Sequence, residues 1–195
     1  NSTVLLGSKG TKEEPYIIEK ENKKLNVGTY VKLGEDTWVI YDKKDDVLKL
    51  SLTNVLENTY RFATDKNEFN PASANSLANY LNNTYYNSLS YKDMLLDSEW
   101  YIGNYNNSYE DVTSKKVTSK VGLLSVADLK YDEDISKFYF LLTPGETYYT
   151  YISGEVLRES KITFSRYIRP TISIKETNIK EGKGTRVSPY VLEVK

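Results

Sequence analysis

The chain has 195 residues, and 26 Lys and Arg stand against 27 Asp and Glu, for a formal charge of −1. This balance argues against a nucleic-acid partner, because phosphate binding needs a basic excess. The sequence contains no Cys and no His, which excludes disulfides, thiolate zinc sites and the Ser-His-Asp triad. A carboxylate pair would still permit glycoside hydrolysis, but no motif places one. Composition therefore predicts a non-catalytic protein without a cofactor.

Two further features of the composition concern location. No apolar run approaches the roughly 18 residues that span a bilayer, and the chain opens at Asn1 without Met. We therefore expect an extracellular ectodomain whose only membrane attachment is an N-terminal anchor before Asn1. The sequence has 18 Tyr against 5 Phe and 2 Trp. This excess indicates either strands with one face in solvent or a contact surface, or else the codon bias of an AT-rich genome.

The two ends of the chain carry one motif. Residues 7–19 and residues 182–194 both reduce to Gly-Thr, three variable residues, Pro-Tyr and an aliphatic pair followed by Glu. Glycine permits a tight turn, and proline precedes a β-prone run, so each copy predicts a turn and a strand. No helix follows to present its N-terminus to a phosphate, which argues against a nucleotide site. We expect a single domain over residues 1–195, bordered by the two copies.

A three-stranded meander is predicted next. Residues 28–33 and 37–41 are strands around a Gly-Glu-Asp turn, and residues 47–52 alternate as a half-buried third strand. Trp38 is the expected anchor of this meander in the core.

The main helix is predicted over residues 75–89, where Leu77, Leu81 and Leu89 recur near helical spacing. Ser90 and Asp93 are spaced as a capping box for a short helix over residues 91–96. Residues 100–111 are polar, aromatic and rich in turn formers, which predicts a long loop.

The rest of the chain is predicted as strands with one helical turn. Ser125 is the expected cap of that turn, over residues 126–130. The predicted strands cover residues 121–124, 138–142, 148–152, 155–157 and 168–174. Strands before and after one central helical region predict an α+β fold with antiparallel sheets and long loops.

Several of these segments together resemble an uncharacterised family of surface domains from clostridial-type Gram-positive bacteria. The resemblance lies in the Trp38-Val39-Ile40 strand, residues 76–82, residues 120–128, residues 167–174 and the Gly-Thr/Pro-Tyr borders. That family is similar to the formylglycine-generating, C-type-lectin-like fold class. The resemblance implies a C-type-lectin-like scaffold in a pilin-like surface protein. Copper-and-cysteine chemistry does not carry over, because the sequence lacks Cys.

An aromatic segment is the candidate binding surface. Trp100, Tyr101, Tyr105 and Tyr109 alternate with Asn residues, a composition that stacks on sugars or forms protein contacts. The alternative for Trp100 and Tyr101 is that their rings cover the core. Tyr149 is added because neighbouring tyrosines on a hairpin strand must alternate between faces, which exposes some of them.

The acidic clusters are weaker candidates for a metal site. Asp128, Asp132 and Asp134 lie close in sequence, but they lack the spacing of a calcium loop. Solvated loop charge is the favoured interpretation, and no metal is predicted.

Taken together, the sequence favours a cell-surface structural or adhesive module, such as the head of a minor type IV pilin. Its partners would be other pilus or surface subunits, or a host or glycan ligand. The alternative function is a lectin-like domain that binds glycans through the aromatic segment.

Overall fold

The computed structural model describes residues 2–4, 18–20, 23–65, 68–104, 109–131, 139–144, 149–153 and 156–194. Within them the fold is α+β, with mostly antiparallel sheets and one main helix, as the sequence predicts. Of the predicted first border, only Ile18 and Glu19 lie inside the described residues.

A seven-stranded sheet forms the centre of the described fold, with strands numbered in chain order. All its neighbours pair antiparallel except one pair, β16 with β3. In spatial order its strands are β15 (Ile179–Glu181), β16 (Tyr190–Leu192), β3 (Tyr30–Leu33), β4 (Asp36–Lys44), β5 (Val47–Leu52), β14 (Pro170–Lys175) and β9 (Val121–Leu123).

The remaining strands form four smaller antiparallel sheets. These are β1 (Ser2–Val4) with β2 (Ile18–Lys20), β6 (Tyr60–Arg61) with β13 (Ser165–Arg166), β7 (Ser98–Tyr101) with β8 (Lys116–Ser119), and the series β10 (Tyr139–Pro144), β11 (Tyr149–Ser153) and β12 (Val156–Ser160).

The predicted meander is confirmed as β3, β4 and β5. Gly34 turns the first hairpin at φ 55°, and Asp45 turns the second at φ 53°. Both angles lie in the left-handed region, which Gly and Asp tolerate better than other residues do. Trp38 is fully buried at 0 % exposure, so the expected anchor of the core is also confirmed.

The two faces of this sheet have different side chains because strand residues alternate. Leu48 and Leu50 of β5, with Ile172 and Ile174 opposite them on β14, belong to the larger buried apolar cluster. The same cluster contains residues of the main helix. Across the strand pair, Ser51 faces Thr171 on the other side of the sheet, and both are buried.

The main helix, α1, runs from residue 77 to residue 88. It consists of α-helical Leu77–Tyr80, π-helical Leu81–Tyr85 and a last α-helical turn, Tyr86–Ser88. Ser76 caps it by accepting a hydrogen bond from the backbone N–H of Ala78. No helix in the described part of the chain is long and apolar enough to cross a membrane.

Two predicted caps have different outcomes. The short helix is a 3-10 turn, Lys92–Met94, and among the described residues no side chain caps it, so the Ser90–Asp93 capping box is wrong. Ser125 precedes a 3-10 helix, Val126–Tyr131, as predicted, but the accepting side chain is that of Asp128, to which the Ser125 backbone N–H donates at 2.8 Å. The carboxylate thereby satisfies a donor at the start of that turn.

The π-helical segment of α1 places Asn82 against the outer edge of β9. Its amide accepts from the backbone N–H of Val121 and donates to the Val121 carbonyl, both at 2.9 Å. The side chain thus pairs with β9 as a further strand would. This contact satisfies the edge N–H of Val121 and adds a second donor to its carbonyl, which also accepts from the Ser119 hydroxyl at 2.9 Å.

We expect Asn82→Ala to lower the free energy of unfolding by about 2 kcal/mol, because it leaves the Val121 N–H without the acceptor that Asn82 provides and removes one of two donors to the Val121 carbonyl. Urea denaturation followed by circular dichroism measures the change. Asn83→Ala is the matched control, since the exposed Asn83 amide only donates to the Asn79 carbonyl within the same helix. Equal effects of the two substitutions would contradict the proposed role of Asn82.

The second border motif forms a turn and a strand, as predicted. Gly182 and Gly184 have φ of 97° and 74°, and the Tyr-Val-Leu run is β16. The strand before this turn, β15, was not predicted. It closes a hairpin in which Ile179 lies opposite Leu192.

Candidate binding surface

The aromatic segment is not the long loop that its composition predicts. Trp100 and Tyr101 end β7, which pairs with β8 through the register Trp100↔Val117 and Tyr101↔Lys116. Tyr109 begins a helical turn, α2 (Tyr109–Val112). The prediction was wrong because residues 103–107 are rich in turn formers, and this composition gives no sign that β7 before them pairs with β8 after them.

Trp100 is part of the core. The side chain is 2 % exposed, and its indole N–H donates to the Ser119 carbonyl at 3.1 Å. The ring lies on Gly122 of β9, where a Cβ atom would come 2.5 Å from the ring. Of the two interpretations left open by the sequence, the structure therefore places Trp100 as a ring that covers the core.

Tyr101 is half-buried, and two lysines lie close to its ring. The Nζ atoms of Lys116 and Lys49 are 5.6 Å and 6.0 Å from its ring centroid. Lys49 also lies 5.1 Å from the Trp100 ring and donates to the Glu99 carbonyl at 3.1 Å. The two ammonium groups are thus held against aromatic rings at cation–π distances.

A carboxylate completes this surface. Glu99 accepts a hydrogen bond from Lys116 at 2.8 Å, and this contact lowers the pKa of Glu99 and raises the pKa of Lys116. Both side chains are well exposed, at 62 % and 45 %, so the pair contributes little to stability. We call the group Glu99, Tyr101, Lys49 and Lys116 the Tyr101 surface.

The Tyr101 surface offers an aromatic ring, two cationic donors and one anionic acceptor within one small area. This combination suits a polyhydroxylated ligand, because a ring can stack on a sugar face while charged groups bond its hydroxyls. Sequence analysis missed both lysines and Glu99. Lys49 lies on a strand far away in the sequence, so only the folded sheet brings it to the ring.

The structure does not describe the side chains of the remaining three predicted binding residues. Tyr105 lies outside the described residues, and the side chains of Tyr109 and Tyr149 do as well. The backbone of Tyr149 begins β11, in agreement with the predicted hairpin. Their part in binding stays a prediction.

Asp128 is the one metal candidate inside the described residues, and its carboxylate has a structural contact. Its carboxylate accepts from the backbone N–H of Ser125 and, at 2.6 Å, from the Ser125 hydroxyl. Burial raises the pKa of Asp128, although these hydrogen bonds act in the opposite direction. Asp132 and Asp134 lie outside the described residues, and inside them no three acidic side chains are grouped to hold a metal ion.

A second polar cluster lies beside Trp38. The Tyr91 hydroxyl donates to Asp36 at 2.5 Å, and the Tyr91 ring meets Trp38 edge to face. Burial, followed by the contact with Asp36, raises the pKa of Tyr91 well above its usual range. Burial also raises the pKa of Tyr85, with the charge of Asp36 as the next cause.

These tyrosines predict a loss of stability in alkali. Between about pH 10 and their raised folded pKa values, the unfolded chain releases phenolic protons that the folded chain keeps. The contribution of these tyrosines to the free energy of unfolding should therefore be fully present below about pH 10 and decrease as the pH rises above it. Urea denaturation from pH 8 to pH 11.5 tests this.

Tyr91→Phe is the matched variant for the alkaline transition. It removes one of the raised groups, so the slope of stability against pH above about pH 10 should become shallower. A wild-type stability that stays constant up to pH 11.5 would contradict the assignment.

The chain matches no protein-family model, no curated protein and no solved structure.

Proposed function

We propose that the chain is a non-catalytic, extracellular module of a Gram-positive surface protein, with a structural or adhesive role. The head of a minor type IV pilin is the specific form of this proposal, and other pilus or surface subunits are its partners. The C-type-lectin-like arrangement implied by the resemblance belongs to the same proposal.

One feature of the fold supports this role more than any other. The parallel neighbours β3 and β16 are the first and the last strands of the seven-stranded sheet in chain order, and they run in the same direction. The polypeptide therefore enters the sheet at one end of this pair and leaves it at the other end. Such an arrangement fits a module placed in line with others in a filament or stalk.

Labelling of intact cells tests the surface location. Antibodies raised against the purified chain should bind intact cells of the bacterium that encodes it, and brief protease treatment of those cells should remove the signal. Antibodies against a cytoplasmic protein of the same cells are the control. Labelling that appears only after permeabilisation would contradict the proposal.

A lectin-like function is the second candidate, and the Tyr101 surface supports it. A half-buried ring with two ammonium groups within about 6 Å and a carboxylate beside one of them offers stacking and hydrogen bonds to a sugar. The two lysines outnumber the one carboxylate, so an acidic glycan is favoured over a neutral one.

A glycan array with matched variants tests this candidate. We expect Tyr101→Ala to reduce binding about tenfold or more, since it removes the stacking ring. Tyr86→Ala is the control, because Tyr86 on α1 also has a lysine, Lys92, with Nζ 6.0 Å from its ring. Wild-type chain that binds no glycan, or equal losses in both variants, would contradict the lectin function.

A further inference from the structure

The pairing of β16 with β3 has a mechanical consequence. Tyr190 lies beside Val31 and Val191 beside Lys32, in parallel register. We call the end of the pair where both strands begin its lower end, and the end where both strands finish its upper end. The chain reaches β3 from residue 23 at the lower end and continues beyond β16 to residue 194 at the upper end. Tension between residues 23 and 194 therefore pulls the two strands in opposite directions along their length.

We propose that the β3–β16 pair is a mechanical clamp that lets this module carry tension along the chain without unfolding. Under such shear, the inter-strand contacts bear the load together and must break together. Contacts that are peeled from one end break one after another, each at a low force. Resistance to forced unfolding is set by this barrier rather than by equilibrium stability.

Side chains and backbone strengthen the lower end of the clamp. The Tyr30 backbone N–H donates to the Gly184 carbonyl at 2.9 Å, which extends the contact beyond the two ladder pairs. Tyr190 is buried, and its ring lies against Gly184, where an added Cβ would be 2.6 Å from Cε2. Lys23 Nζ stands 5.9 Å from the same ring.

Lys43 of β4 connects the segment before β3 to the body of the sheet. Its Nζ donates to the Leu25 carbonyl at 3.0 Å and forms an ion pair with Glu176. Leu25 lies on the segment that leads into β3, and Glu176 directly follows β14 on the connection to β15. Displacing either segment must break a contact of this partly buried ammonium group.

The proposal rests on the proposed surface role for its biological purpose, because a surface module is exposed to drag and to the pull of attached partners. The mechanical property itself is independent of that role. Forced unfolding tests the clamp, and cell labelling tests the surface location. Either result can be negative without the other, so the two failures are distinguishable.

Single-molecule pulling in two directions tests the clamp. The sequence has no Cys, so introduced pairs give unique handles. Lys24→Cys with Val194→Cys loads the pair in shear. Lys24→Cys with Val187→Cys, at a site 95 % exposed in the turn before β16, peels the same pair from its lower end.

At one pulling speed, we expect the shear pair to unfold at about twice the force of the peeling pair or more, because the contacts break together. Equal forces, or a lower force in shear, would overturn the proposal. Both handle pairs leave the core unchanged, so the comparison does not depend on a destabilised variant.

Two variants of known equilibrium stability, one in the clamp and one elsewhere in the core, separate the clamp from general stability. Tyr190→Leu, in the clamp, should lower the shear unfolding force, whereas Leu81→Ala, on the buried face of α1, should leave it nearly unchanged. Urea denaturation measures the free energy of unfolding of each variant, so that each reduction in force can be compared with the loss of stability that accompanies it. Equal reductions of force in both variants would mean that force follows global stability, and this result would also overturn the proposal.

Discussion

Replacing Trp38 by Ala should lower the free energy of unfolding by about 4 kcal/mol, the largest loss that we expect from one substitution. Trp38 is fully buried, and its ring centroid lies 6.4 Å from that of Tyr91. The smaller side chain removes apolar contacts and leaves a cavity between β4 and Tyr91. A domain is stable by only about 5–15 kcal/mol, so the variant should be close to unfolding.

Urea denaturation followed by circular dichroism and by the fluorescence of the remaining Trp100 measures this loss. Trp38→Phe is the control, because it keeps a buried ring and should lose only about 1.5 kcal/mol. A loss below about 1 kcal/mol in the Ala variant would mean that the meander does not depend on this residue.

Replacing Gly122 by Ala should lower the free energy of unfolding by about 3 kcal/mol, because the new methyl group collides with a buried ring. The added Cβ would be 2.5 Å from Cδ2 and 2.7 Å from Cγ of Trp100. Trp100 is held by its hydrogen bond to Ser119, so it cannot move away freely. Its displacement should also disturb Lys49 and the Tyr101 surface.

Two controls make this prediction specific. Gly28→Ala meets no atom within 4 Å but has φ of 85°, so it should lose only about 1 kcal/mol through backbone strain. In a Trp100→Leu background, Gly122→Ala should cost clearly less than it does in the wild type, because the two changes share one contact. Additive losses in the double variant would show that the ring is not the obstacle.

Much of the fold could be predicted from local patterns. Alternation in residues 47–52 and the spacing of Leu77 and Leu81 predict β5 and α1, because each element must bury one face. The Gly-Thr/Pro-Tyr border predicts the turn and β16 in the second copy. These signals are local, and tertiary contacts reinforce them.

The Tyr101 surface could be predicted only in part. Composition indicates the aromatic residues, but it predicts a loop where Trp100 and Tyr101 belong to the strand β7. It also does not distinguish the buried Trp100 from the half-buried Tyr101. Two residues in succession on a strand point to opposite faces, so the pairing of β7 with β8 decides which ring is buried. That pairing joins segments on either side of a polar loop, where no local signal marks a partner.

The sequence by itself determined the absence of thiol and imidazole chemistry, the α+β class and most strands of the central sheet. Each of these follows from residue type or short-range periodicity. Only the tertiary structure decided that β16 lies parallel to β3, that Asn82 completes the edge of β9, and that Lys49 reaches Tyr101. These contacts join residues far apart in the chain, and their free energy depends on surfaces that exist only after the sheet has formed.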